Sequence, residues 1–217
     1  MSGKHKLLAV LLLTLAAGNA ALVELSQTSA RRGMAAAQAE RLEALRACFD
    51  IAVGAAEPKL TEIAAFSVET DDVRDLLTAA LAALARNGGD HHAPEVEAVR
   101  RQLADVIGRR WTRLNFHYML RQLGFYLPPD RAAFYRAEAP HRYGDGPAAA
   151  DSLPALVAAT GRPATGFAVD SLTTGVRAAA PVYIDGRWAV AEAGTAFDPI
   201  LAPICPNSHC GVAVLLP

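Results

Sequence analysis

The sequence predicts an α+β domain, with long N-terminal helices followed by an antiparallel β-sheet. Two observations carry this reading. Up to Leu120 the apolar residues recur at helical spacing, and beyond it the period shortens to the alternation of strands. The second half is also punctuated by turn signals, Pro128-Pro129, Tyr143-Gly144-Asp145 and Asp185-Gly186, which separate short aromatic and β-branched runs. Helices first and a meander afterwards make the α+β class. Three segments are expected: 1–26 as a membrane anchor or signal segment, 27–120 as a helical region and 121–217 as the sheet domain.

Lys4, His5 and Lys6 precede an apolar run from Leu7 to Leu25. A basic start followed by such a run lies between a signal peptide and an uncleaved anchor. Gly18 and Ala20 fit a small-x-small cleavage rule, but the helical pattern continues past them, which favours the anchor. In both cases the remainder is exported, because positive charge at the short end stays inside. The expected location is the inner membrane, with the domain in the periplasm.

From Ala30 to Phe66 the chain is rich in helix formers, with Leu42, Leu45, Phe49 and Val53 as an apolar stripe that Ile63 and Phe66 resume after Pro58. The stripe either covers its own sheet or joins a second copy, so a homodimer through this helix is expected. Thr70-Asp71-Asp72 reads as the N-cap and first turn of a helix that stops near Asn87-Gly88-Gly89. Asp90-His91-His92 reads as a solvated loop. Pro94 opens a third helix through Val96, Val99, Leu103, Val106 and Ile107, with His117 near its end as a partly buried structural residue. Strands are then expected at Leu123–Leu127, Ala133–Ala137, Phe167–Leu172, Val176–Ile184 and Trp188–Thr195. A helix from Asp151 to Thr160 separates the second from the third, and Val212–Leu216 is a further candidate strand.

A net charge of -1 with no Lys/Arg-rich run excludes an electrostatic nucleic-acid surface. Cys205 and Cys210 bracket a short loop that reads as a disulfide in an oxidising compartment, as free thiols otherwise, or with His209 as a metal site short of one ligand. Cys48 reads as a small packed residue. No metal or cofactor is expected.

Phe125-Tyr126-Leu127-Pro128-Pro129, Phe134-Tyr135-Arg136, Pro140 and Tyr143-Gly144-Asp145 stand in an order and spacing that resembles the motif string of Cache-type extracytoplasmic sensor domains. The form in question is the helical, PAS-like Cache of bacterial chemoreceptors and sensor histidine kinases. The likeness continues through Gly175-Val176-Arg177, Ala180-Pro181-Val182, Glu192-Ala193-Gly194 and Phe197. It implies a membrane-linked sensory module for chemotaxis or two-component signalling, whose PAS-like sheet holds a small ligand on its concave face. Ala168 stands where the family usually carries an acidic residue, and Thr173-Thr174 replaces a glycine-rich run, so ligand identity is not carried over. No second membrane helix or output segment follows within the sequence, and a receptor or kinase partner is therefore expected.

Strand alternation sorts the side chains. Val176, Ala178, Ala180 and Val182 share one face of their strand, and Arg177, Ala179 and Tyr183 the other; Trp188, Val190 and Glu192 go together, as do Leu123, Phe125 and Leu127 opposite Tyr126. The expected ligand-binding set is Tyr126, Arg136, Arg177 and Glu192, with Tyr143 and Asp145 from the loop. Arginine forks suit a carboxylate and acidic groups suit an ammonium, so an anionic or zwitterionic metabolite is expected. Arg177 and Glu192 also stand as a purely structural cross-strand pair.

Two other classes compete. An exported enzyme finds no G-x-S-x-G, H-E-x-x-H or phosphate loop, and Asp50, His117 and Ser152 lie on separate segments, so no catalytic residue is expected. A membrane-anchored interaction module would present the Tyr143–Asp145 loop to a partner receptor.

Overall fold

A computed structural model describes residues 3–145, 152–169 and 174–204. In the first helix, side chains are described at His5 and from Leu11 onward. Cys205, Cys210 and the candidate strand Val212–Leu216 lie outside the described residues.

The chain divides into two compact units, Met1–Cys48 and Phe49–Pro217. The first is the leading part of helix α1 (Gly3–Phe66). Its described apolar side chains, including Leu11, Leu15, Leu22, Leu25 and Leu42, are exposed. Among the described residues no helix is long and apolar enough to cross a membrane. Cys48 is exposed rather than packed, as are Ala44 and Ile51 one turn to either side.

In the second unit the rest of α1 joins α2 (Asp71–Arg86) and α3 (Pro94–Tyr118) against a sheet. Phe49 and Val53 do enter the core with Leu60, Ile63 and Ala64, but Phe66 stays 68% exposed. Helix α2 buries Val73, Leu77, Ala80, Leu81 and Leu84, the i, i+3, i+4 stripe of an amphipathic helix. Thr70 takes the N-cap position without a side-chain cap bond. Its hydroxyl instead accepts from Arg110 Nη1 at 2.8 Å, a partner offered by α3. Asp71 and Asp72 supply the negative charge that a helix N-terminus favours. Pro94 opens α3 at a position where its missing N–H costs nothing. His117 is exposed, not partly buried: it keeps the heptad spacing of Val96 and Leu103 but lies in the last turn of α3, between exposed Phe116 and Tyr118.

Five strands follow: β1 (Leu120–Leu127), β2 (Ala132–Arg136), β3 (Ala164–Val169), β4 (Thr174–Ile184) and β5 (Arg187–Ala196). They form one antiparallel sheet in the order β2-β1-β5-β4-β3. Strand β3 begins earlier than the sequence suggests, at Ala164, because it pairs back to Ala179 of β4. Asp185 and Gly186 both have positive φ, 48° and 75°, and close the β4–β5 hairpin as a two-residue turn. Helices before an antiparallel sheet is the α+β, PAS-like fold that the Cache resemblance implies.

The two faces of the sheet are unlike. Leu123, Phe125, Leu127, Val176, Ala178, Ala180, Val182, Ala189, Ala191 and Ala193 pack on α1, α2 and α3 as the main core. Tyr126, Ala133, Ala179 and Val190 face the other way and are covered in part by Val157 and Leu153 of helix α4 (Leu153–Thr160). Helix α4 starts with Ser152 accepting from Ala155 N and stops at Gly161 in the left-handed region, both standard helix signals. Residue parity along the strands therefore sends the apolar set to the helices and a mixed set to the α4 face.

Candidate functional site

The mixed face is laid out by the strand register. One row across the sheet reads Arg136, Gly124, Glu192 and Ala179, through the pairs Gly124↔Arg136, Gly124↔Glu192 and Ala179↔Glu192. The next reads Gln122, Gly194 and Arg177. A bulge in β1–β2 pairs Phe125 with Tyr135 and Tyr126 with Ala133, leaving Phe134 as the extra residue. That shift turns both Phe134 and Tyr135 into the main core.

Glycine in the second row makes room for the charged groups. A Cβ on Gly194 would meet Arg177 Cγ at 3.1 Å and Gln122 Cβ at 3.4 Å. Arg177 and Gln122 therefore converge over its bare backbone, beside Glu192.

Glu192 is the centre of the cluster and is only 2% exposed. Its Oε2 accepts from the Tyr126 hydroxyl at 2.7 Å and from Gln122 Nε2 at 3.0 Å. Its Oε1 lies 3.9 Å from Arg177 Nη1, a diagonal pair between β4 and β5. A buried carboxylate is tolerated only when it is paired and hydrogen-bonded, and all three partners sit on the same sheet face. At the sheet edge Arg136 Nη1 donates to Asp145 Oδ2 at 2.6 Å and to Arg142 O at 2.9 Å. Two arginines and two carboxylates thus stand on one face, three of them buried or nearly so.

Tyr143 lies apart from Glu192. Its ring faces Arg100, whose guanidinium carbon is 3.4 Å from the ring centroid. Arg100, 3% exposed on α3, also donates from Nε to Phe134 O at 2.9 Å and from Nη2 to His91 O at 2.6 Å. Burial lowers its affinity for its proton from the ordinary guanidinium value, partly offset by Tyr143 and Glu97. His91 is buried rather than solvated, with Nε2 3.3 Å from Asp130 Oδ2. Gly144, at φ 65°, packs so closely that a Cβ there would sit 2.9 Å from His91 Cβ, and its N–H donates to Ala133 O. The Tyr143–Gly144–Asp145 loop is thus pinned to α3 and β2, and its last residue lands on Arg136.

Of the sequence-derived set, Tyr126, Arg177 and Glu192 meet directly, Arg136 and Asp145 form a neighbouring pair, and Tyr143 holds the loop from the other side. Gln122 and Arg100 were missed. Gln122 shares the parity of Gly124 and Tyr126, and Arg100 stands four residues after Val96 on the apolar stripe of α3, so both carried a readable signal. His91 carried none, because its burial comes from chain segments far away in sequence. Among the described residues no group of His, Cys, Asp and Glu is arranged to hold a metal ion.

Two tyrosines couple this region to alkaline pH. Burial, then the charge of Glu192 and the hydrogen bond to it, hold the Tyr126 hydroxyl well above its ordinary value of 10.0. Burial, then Glu138 and Asp105, push Tyr135 up to about 12. With both raised, the folded state keeps protons that the unfolded chain releases, so stability is full below about pH 10 and is lost as pH rises through the folded values. The unfolding free energy should be level up to about pH 9.5 and then fall by up to ~1.4 kcal/mol per pH unit for each tyrosine. Urea unfolding across that range checks it: Tyr126→Phe should reduce the slope, and an unchanged slope would contradict the assignment.

No protein-family model matches the sequence, and no curated protein is detectably similar to it. Among solved structures the chain is similar to the ligand-binding domain of the Pseudomonas aeruginosa PAO1 amino acid chemoreceptor PctC in complex with GABA. The identity is 12%, the match covers 70% of this chain and 69% of that one, and the TM-score is 0.38.

Proposed function

We propose that this chain is an extracytoplasmic sensory module that binds a small zwitterionic or anionic metabolite on the α4 face of its sheet. The observation that carries the reading is the gathering of Glu192, Arg177, Arg136 and Asp145 on the one sheet face that the large helices do not cover. Glu192 and Asp145 suit an ammonium, and the two arginine forks suit a carboxylate. The Tyr143–Asp145 loop, pinned by Arg100, forms the edge of the site.

Attachment to the inner membrane through the N-terminal run, with the domain in the periplasm, belongs to the same proposal. Lys4, His5 and Lys6 ahead of Leu7–Leu25, and the exposure of the leucines from Leu11 to Leu25, support it. A homodimer through the long helix belongs to the same proposal, supported by the exposed apolar side chains that α1 carries in its leading part, Leu42 among them. A signal would then pass to a receptor or kinase partner.

The test is a thermal-shift screen of the full chain in detergent against amino acids, organic acids and amines. A ligand at a hundredfold excess over Kd stabilises by about 2.7 kcal/mol, enough to move the midpoint visibly. Arg136→Gln, at the sheet edge, should weaken binding about tenfold or more while lowering the unliganded midpoint only modestly, since Asp145 is half-exposed and water can take the place of its partner. Binding unaffected by this change would remove Arg136 from the site, and a screen without any hit would favour a module that recognises a protein partner.

A further inference from the structure

We infer that the cleft between the C-terminal part of α1 and helix α3 is a second binding site, for an amphipathic anion: a carboxylate or phosphate head on a hydrocarbon tail. The site is separate from the α4 face and does not depend on the function proposed for it. The cleft has a volume of about 710 Å³, within the usual range of roughly 300–1,000 Å³ for small-molecule pockets. Ile63, Phe66, Ile107, Leu114, Tyr118 and Leu123 line it, so the interior is apolar.

The charges around it are unbalanced. Lys59, Arg109, Arg110 and Arg113 line the cleft against a single carboxylate, Glu62. Arg110 is already engaged, donating to Thr70 and to Asp72 at 2.7 Å. Arg109 spends its Nε on the carbonyl of Asp105, and Lys59 lies 5.4 Å from the Tyr118 ring centroid. Among the described residues none of Lys59, Arg109 and Arg113 forms an ion pair with a carboxylate. Three cations that make no ion pair among the described residues, with Glu62 as the one acid in the lining, leave an excess of positive charge around an apolar cleft that attracts an anion, and their long stems add to the apolar wall.

The shape favours a tail. A neighbouring cavity of about 350 Å³ shares Lys59, Ile63 and Tyr118 with the cleft and continues past Ala56, Leu60, Met119 and Ile200. A head held by Arg109 and Arg113 would leave its chain to run over Phe66 and Tyr118, which are 68% and 47% exposed. Covering these aromatic faces supplies the apolar part of the affinity, at about 25 cal/mol per Å² removed from water. An inorganic anion would leave that surface wet, and an uncharged alkane would leave the cations unanswered.

Octanoate, a soluble probe for a free fatty acid, and dihexanoyl phosphatidate, a probe for an anionic lipid, should each be titrated against the full chain by calorimetry. Saturable binding of either is expected, weakened at least tenfold in Arg109→Glu/Arg113→Glu, whose exposed positions leave the core untouched. Whichever probe binds more tightly identifies the source of the head group. Arg136→Gln should bind like the parent chain, which separates this site from the α4 face. Absence of saturable binding, equal affinity in the double variant, or octylammonium binding as tightly as octanoate would overturn the inference.

Discussion

Glu192→Leu should cost about 3–5 kcal/mol of stability, the range for removing one partner of a buried ion pair. Leucine fits the strand and loses no apolar burial, so the cost comes from what it abandons. The Tyr126 hydroxyl and the Gln122 amide both donate to Glu192 Oε2, and each would be left buried without that acceptor. The Arg177 guanidinium, 7% exposed, would lose the carboxylate 3.9 Å from its Nη1. Glu192→Gln keeps an acceptor and the side-chain shape, and should cost clearly less. Urea unfolding monitored by far-UV circular dichroism measures both, with the loss seen as a lower midpoint at unchanged slope. A Leu variant within about 1 kcal/mol of the parent would mean that the cluster contributes little to the fold.

Arg100→Leu should cost at least about 3 kcal/mol and also weaken ligand binding, although Arg100 forms no hydrogen bond or ion pair with Arg136 or Glu192. Its loss leaves the carbonyls of Phe134 and His91 without the donors that satisfy them, at roughly 1–3 kcal/mol for each buried unsatisfied group. It also removes the cation stacked on Tyr143, worth about 1–2 kcal/mol in a desolvated setting. The released loop carries Asp145 away from Arg136, which alters one edge of the proposed site. Arg100→Lys should recover little, because a point charge on a flexible stem cannot serve two carbonyls and stack on a ring. Circular dichroism gives the stability. The affinity for the best ligand of the screen, measured below the lowered midpoint, gives the positioning effect. If affinity is unchanged in a folded Arg100→Leu variant, the loop is not part of the site.

The strands were legible because alternation is a local property. Within each strand a period of two separates Tyr126 from Phe125, Arg177 from Val176 and Glu192 from Ala191; the register of the sheet then brings the three polar residues to one face. The helix ends Pro94 and Gly161 were legible for the same reason, since each acts on the backbone of its own turn. Local pattern does not decide what covers a residue. His117 and Cys48 sit in helices beside apolar residues yet are exposed, while His91 sits in a polar loop yet is buried. Tyr143 follows a basic, polar run, and its place against Arg100 depends on a helix far back in the chain.

The sequence by itself determined the order of helices and strands, the two faces of the sheet and most of the polar residues on the face that α4 partly covers. These follow from backbone periodicity and turn chemistry, which reach only a few residues. Tertiary structure alone decided that Gly194 leaves room for Arg177 and Gln122 to converge beside Glu192. It also decided that Asp145 meets Arg136 and that Arg100 anchors the loop between them. Those contacts join segments that meet only after the sheet has taken its register, and a buried charge can settle only where such distant partners are brought to it.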